Sequence, residues 1–340
     1  MPTVVAQKGL PLSYGQFSAV FVPSAPLPLP AYTGSMFRGA FGMALKQAVC
    51  VTRTYDCPPC LLKDRCLYPY MFETPPPHGS RVMRKYTAAP HPFVFEPPVG
   101  GITVPAGRPL VVGITLFGKA IASLSHFIFA LEQLGRHGLG GRRVSCTLTT
   151  VNGWLDGQQW TLYSADDRVP RSAVGFEQAL NLPLHPVALS IEKSPSQEVT
   201  VEFLTPLRVR YDSRLANDMP FHVLFRNLLR RIGHLSYFHC AGDPSEMDFR
   251  QWIELALGVE TVDHDLRWFD WERYSSRQQS TMRMGGLIGR VTFKGNLAPF
   301  YPFLRVGEIA HAGKGTSFGL GRFRLDPLKA EQTNSTRPED

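Results

Sequence analysis

Charged residues make up only 19% of this 340-residue chain, and acidic ones are the scarcer kind: 28 Asp and Glu against 36 Lys and Arg, a formal net charge of +8. A basic excess favours an anionic partner, nucleic acid first and a membrane surface second. No apolar run approaches the roughly 18 residues that span a bilayer. Residues 1–14 carry one Lys and no apolar stretch, so no secretory signal is expected there and a cytoplasmic setting is. Six Cys in a chain of this length are too few for a disulfide scaffold. Histidine is missing from the first 77 residues, which removes the usual acid–base residue from that stretch. With hydrophobic residues at 44%, the chain can bury ordinary cores, and its length suits about two domains.

Pattern along the chain predicts where those domains lie. Residues 12–22 read as a strand rich in aromatic and β-branched residues. The proline-rich segment 23–30 interrupts, and a helix starts near Thr33 or Ser35. Its apolar positions, Phe37, Ala40, Phe41, Ala44, Leu45 and Ala48, have the spacing of one buried helical face. A Cys-rich loop covers 50–66. Further strands are expected at 92–95, 108–117 and 143–151, with a helix over 119–136. Residues 154–197, mixed and proline-punctuated, read as a connector. The order then repeats: strand 199–211, helix 221–238, strands 266–274 and 287–294, helix 297–309, strand 319–325. The fold class is therefore α+β, two tandem ferredoxin-like βαββαβ domains. The first covers 1–195 with its Cys loop and connector, the second 196–326, and a disordered tail follows at 327–340.

Two stretches carry chemistry. The first is His311-Ala-Gly-Lys-Gly-Thr-Ser-Phe-Gly-Leu-Gly-Arg-Phe, ahead of the final strand. Gly313, Gly315, Gly319 and Gly321 allow close backbone approach and N–H groups turned outward toward an anion, while Lys314 and Arg322 add charge. The spacing fits neither the P-loop nor G-x-G-x-x-G; the plain alternative is a glycine-rich turn. The second stretch holds Cys50, Cys57, Cys60 and Cys66, spaced C-x6-C-x2-C-x5-C. A structural zinc ion is the expected cofactor, the Cys57-Pro-Pro-Cys60 pair supplying two thiolates from one turn. A [4Fe–4S] cluster and unligated reduced thiols are the alternatives. Cys146 and Cys240 stand in apolar surroundings and read as core.

The 221–238 helix places His222, Arg226, Arg230 and His234 four residues apart, one slowly drifting stripe, with His239 at its end. A histidine beside arginine and phosphate is a plausible acid or base; a merely solvated polar face is the alternative. Basic residues crowd 205–231 and 277–324, and Tyr211, Trp268, Trp271, Tyr274, Phe318 and Phe323 interleave with them. That combination suits single-stranded or hairpin RNA, although at least two of Trp268, Trp271 and Phe323 are expected in the core.

The glycine loop resembles that of the CRISPR-associated RAMP superfamily. So do its place before the last strand of a second βαββαβ unit and the run Trp268-Phe-Asp-Trp-Glu-Arg-Tyr-Ser-Ser-Arg-Gln. Gly285-Gly-Leu-Ile-Gly and Thr33-Gly-Ser-Met-Phe-Arg-Gly-Ala-Phe-Gly fit the same picture, which covers roughly residues 15–325. Within that superfamily the chain looks most like the endoribonuclease that processes CRISPR precursor RNA. The resemblance implies RNA in a cleft or along one face and cleavage without metal: attack by the ribose 2′-OH, leaving a 2′,3′-cyclic phosphate and a 5′-OH. It implies CRISPR repeat RNA as partner, with subunits of a CRISPR effector complex as further ones. Many members place a histidine in or near the first helix, and this chain departs there, offering Tyr32, Arg38 and Lys46. Those three join His234 and His239 as candidate catalytic residues. The candidate RNA-binding set is Arg226, Arg230, Arg273, Arg277 and the loop residues Gly313, Lys314, Gly315, Gly319, Gly321 and Arg322. A non-catalytic RNA-binding subunit, and a zinc protein with some other anionic partner, are the competing readings.

Overall fold

The computed structural model describes residues 9–77, 79–83, 88–186, 197–211, 214–215, 218–275, 280–326 and 329–330. The first unit runs β1 (Gly9–Pro23), α1 (Gly34–Val49), β2 (Phe93–Glu96), β3 (Leu110–Phe117), α2 (Leu124–His137) and β4 (Cys146–Leu155). Its antiparallel sheet has the order β2-β3-β1-β4, the split arrangement of a ferredoxin-like βαββαβ unit. The second unit runs β7 (Gln197–Leu207), α3 (Phe221–His239), β8 (Glu260–Phe269), β9 (Gly286–Gly295), α5 (Tyr301–Ala310) and β10 (Phe323–Leu325). Its sheet order, β8-β9-β7-β10, is the same.

The expected connector holds structure of its own. β5 (Gln158–Ser164) extends the first sheet beyond β4. β6 (Gln178–Pro183) pairs with Gly9–Tyr14 at the start of β1. Leu10, Leu12, Tyr14, Leu182 and Leu184 consequently lie in the hydrophobic cluster built around α3, β7 and β9. The first unit's other cluster packs Phe37, Phe41 and Leu45 of α1 and Phe127 and Leu131 of α2 onto its sheet. Burying large apolar side chains in this way is the main favourable term in folding.

Several boundaries differ from the sequence reading. Gly118–Ser123 is 3₁₀ and α2 starts at Leu124. An eight-residue helix, α4 (Phe249–Ala256), precedes β8 and is capped by the Asp248 carboxylate, which accepts from the Gln251 N–H. The strand expected at 266–274 is β8 followed by a separate hairpin, Glu272–Ser275 with Ser280–Arg283. In the expected disordered tail, Lys329–Ala330 pair with Gln197–Glu198; residues 327–328 and 331–340 lie outside the described residues. Among the described residues no helix is long and apolar enough to cross a membrane.

Candidate nucleic-acid interface

The helix α3 follows Pro220 and buries Leu224, Phe225, Leu228, Leu229, Ile232 and Leu235. The remaining face presents Arg226 and Arg230, both exposed, and a half-buried His234, the stripe that periodicity predicts. Facing it is the loop after α5. Loop and helix together border a cleft of about 620 Å³ lined by Arg230, Arg231, His234, Gly313, Lys314 and Ser317, with Arg210, Asn227 and, from the first unit, His91.

The loop is not an open rosette of N–H groups. Gly313 N–H donates to Asn227 Oδ1 (2.7 Å). The N–H groups of Lys314, Phe318, Gly319 and Gly321 donate to the carbonyls of Arg208, Gly315, Thr316 and Pro206. Its glycines serve backbone geometry instead. At Gly319, with φ +87°, a Cβ would lie 2.6 Å from the Phe95 carbonyl oxygen of the first unit. Lys314 is exposed, and its ammonium pKa is lowered by partial burial and by neighbouring Arg210, Arg208 and Arg230. Such crowding of cations is costly without an anion.

Across the cleft, α1 meets the loop. The half-buried Arg38 donates from Nε to Ser317 Oγ (2.9 Å) and from Nη2 to His91 Nε2 (3.1 Å). Its guanidinium lies over the Phe318 ring (4.3 Å) and the Phe72 ring (4.9 Å). A guanidinium only donates, so His91 Nε2 accepts and its Nδ1–H donates to Thr74 Oγ1 (2.7 Å). Burial, then Arg38, Arg231 and His239, push the His91 pKa down to about 3. Tyr32 donates its hydroxyl to the Phe318 carbonyl (2.8 Å) and its ring lies 4.5 Å from that of Trp271. Burial raises its pKa, and the hydroxyl is spent on holding the loop.

The floor of the cleft carries an unusual charge. Arg231 is buried; its Nε donates to the Ala310 carbonyl (2.8 Å), while Nη2 has no hydrogen-bond partner among the described residues. Desolvation lowers its pKa to about 9. His234 is lowered to about 4 by burial, then by Arg230 and Arg231.

Other predicted residues lie elsewhere. His239 is buried, its ring between Tyr70 Oη (3.2 Å) and the Pro90 carbonyl (2.8 Å). His311 is wholly buried beneath the loop. Arg322 pairs with Glu96 (2.8 Å) at the junction of the units. Lys46 lies over the Tyr68 ring (4.9 Å), beside the Cys loop rather than in the cleft. Arg277 falls outside the described residues; Arg273 is in the hairpin strand Glu272–Ser275. Trp271 and Phe323 are buried and Trp268 is 40% exposed. The four cysteines line one recess. Yet no three His, Cys, Asp or Glu side chains among the described residues stand close enough to hold a single ion, so the expected zinc has no ion-sized set of ligands. Sequence reasoning missed His91, Arg231, Arg210 and Asn227. Only Arg231, at the turn of a basic helix, carried a signal.

Comparison with known proteins agrees with this geometry. Residues 201–323 match the family model of the CRISPR-associated endoribonuclease Cas6, and residues 11–174 match a model described as an N-terminal domain. An uncharacterized protein of Archaeoglobus fulgidus is 24% identical over 306 residues, covering 87% of this chain and 92% of its own. A Cas6 of Thermus thermophilus superposes with a TM-score of 0.51 at 15% identity, over 93% of this chain and 99% of that one. A partial Cas6-RT-Cas1–Cas2 complex gives a TM-score of 0.54 at 12% identity, over 93% of this chain and 46% of the other. Two tandem ferredoxin-like units are therefore the fold this chain has in common with those solved structures. Over residues 201–323 the chain is similar to the CRISPR-associated endoribonuclease Cas6.

Proposed function

We propose that the chain binds CRISPR repeat RNA in the cleft between α3 and the glycine loop and cleaves it there without metal. The observation that carries this is Arg231, a buried guanidinium at the cleft floor with an unpartnered Nη2. A buried unpartnered donor costs roughly 1–3 kcal/mol, more when charged, and a phosphate oxygen would complete it. Arg226, Arg230 and Lys314 extend the same electrostatic track along α3.

Cleavage needs a base for the 2′-OH, an acid for the departing 5′-oxygen, and cations on the phosphorane. His91 presents Nε2 as an acceptor, covered by the Arg38 guanidinium. A scissile phosphate that draws Arg38 to itself leaves that nitrogen to take the 2′-OH proton. His234 is the acid: burial first, then Arg230 and Arg231, depress its pKa, and a phosphate beside those two arginines offsets the cations' share. The phosphorane charge then falls to Arg38 and Lys314. The products are a 2′,3′-cyclic phosphate and a 5′-OH. The family resemblance supports repeat RNA as the substrate, and the matched Cas6 complexes support a processing role alongside other CRISPR proteins.

The test is incubation of labelled repeat RNA with the chain in EDTA. Scission at one position is expected, abolished by a 2′-deoxy sugar there, and slowed about 10²-fold or more in His91→Ala. A second reading, RNA binding without scission, is favoured by the absence of histidine before His78. Tight, salt-sensitive binding with intact RNA under every condition would establish that reading instead.

A further inference from the structure

We propose that Cys50, Cys57, Cys60 and Cys66 hold a [4Fe–4S] cluster. All four cysteines line one recess of about 300 Å³ at the C-terminal end of α1. Cys50 is the residue that ends that helix. Cys57 and Cys60 share a tight turn closed by Cys60 N–H to the Cys57 carbonyl (3.1 Å), and Lys63 N–H bonds the Cys60 carbonyl (3.2 Å). The Cys66 carbonyl accepts from Tyr70 N–H (3.2 Å) at the start of the next helical turn. The backbone thus fixes each cysteine around the recess through its own hydrogen bonds.

The arrangement discriminates between metal centres. A zinc ion draws four sulfurs to about 2.3 Å from one point. Here four cysteines share a cavity, while among the described residues no three His, Cys, Asp or Glu side chains converge on an ion-sized site. A cubane meets that geometry, because each thiolate binds a different iron and the core itself fills the space between them. Its surroundings suit the net negative charge of a tetrathiolate cluster. Lys46, Lys63 and Arg65 line the recess, with Asp56 the sole acid there, and Val49 and Leu67 contribute apolar wall.

The loop also needs such a centre. Residues 50–66 contain no helix or strand, and Leu61 is fully exposed with Val51 at 78%. Ordered loops of that length without secondary structure are uncommon unless something else holds them. The cluster is structural and takes part in no step of RNA cleavage. The proposal stands apart from the RNA reading, and either can fail alone.

The experiment is purification of the full chain under nitrogen, followed by iron, acid-labile sulfide and zinc analysis. About four irons and about four sulfides per chain are expected, with a broad visible absorption that dithionite bleaches. Alkylation mapped by mass spectrometry should find all four thiols protected in the loaded chain and reactive once the iron is stripped. Cys57→Ser with Cys60→Ser should lower iron at least five-fold, while Cys146→Ser leaves it unchanged. One zinc per chain without sulfide, adventitious iron lacking matching sulfide, or four freely alkylated thiols in the native chain would each overturn the proposal. These wild-type readouts decide the matter even where the double variant fails to fold.

Discussion

Four histidines are kept neutral by burial first of all. His91 and His311 are pushed down to about 3, and His234 and His239 to about 4. In the unfolded chain each titrates near 6.5. Between those values the unfolded state binds the extra protons, so stability is complete above about pH 6.5 and is lost as pH falls toward 4. Each histidine contributes up to about 1.4 kcal/mol per pH unit in that window. The expected outcome is a Tm that declines steadily between pH 6.5 and 4. Wholly buried His311 replaced by Gln should flatten that slope; an unchanged slope would show that this residue is not a source of it. Arg231 belongs to the same scale. Arg231→Met removes an uncompensated buried charge and should leave stability equal or higher, by about 1–3 kcal/mol. The same change should weaken RNA binding about ten-fold or more, read by calorimetric melting and filter binding on one preparation.

At the scale of elements, α3 was the most legible part of the chain. Its apolar residues repeat with helical spacing, and the polar stripe left over faces the cleft as periodicity requires. The helix α4 was missed because only Trp252 and Ala256 of its eight residues are buried, too few to set a period. β6 was read as connector because it is only six residues long and just Leu182 is buried, so its alternation is too short and too shallow to mark a strand. The partners of the cleft were invisible for a different reason. Arg38 and Ser317 are 279 residues apart, and His91 sits between two prolines where no repeat announces it. The approach of α1 to the loop is tight: a Cβ at Gly34 would collide with the Phe318 carbonyl oxygen. Gly34→Ala should therefore cost about 1–3 kcal/mol and slow cleavage by displacing Arg38 from Ser317. Gly39→Ala, which meets no neighbour, is the matched control. Equal melting temperatures for the two variants would refute the close packing.

For the whole molecule, the +8 charge resolves into paired and unpaired cations. Arg290 and Arg324 are bound to Glu202, Arg305 to Glu308 and Arg322 to Glu96, leaving them little to offer phosphate. The cleft draws instead on Arg230, Arg231 and Lys314, and the depression beside it adds Arg226. Four phosphate contacts to a single strand predict a log–log salt slope of about −3, and Lys314→Ala should make it shallower by about 0.7. A slope unaffected by that substitution would place the RNA on another face. Both ferredoxin-like units were legible from the order of their strands and helices, because that order follows from local pattern. How the two units meet was not, since the contacts between them involve residues far apart in sequence.

The pairing of β6 with the start of β1 has a consequence for cooperativity. Leu10, Leu12, Tyr14, Leu182 and Leu184 belong by sequence to the first half and by packing to the core of the second. Ser236 and Trp252 reinforce the graft, donating to the carbonyls of Pro11 and Leu184. A chain cut near residue 195 would lay those apolar side chains bare on one fragment and leave the other with a core open along one side. The halves repeat a fold while sharing one core, and the expected outcome of heat or denaturant is a single melting unit.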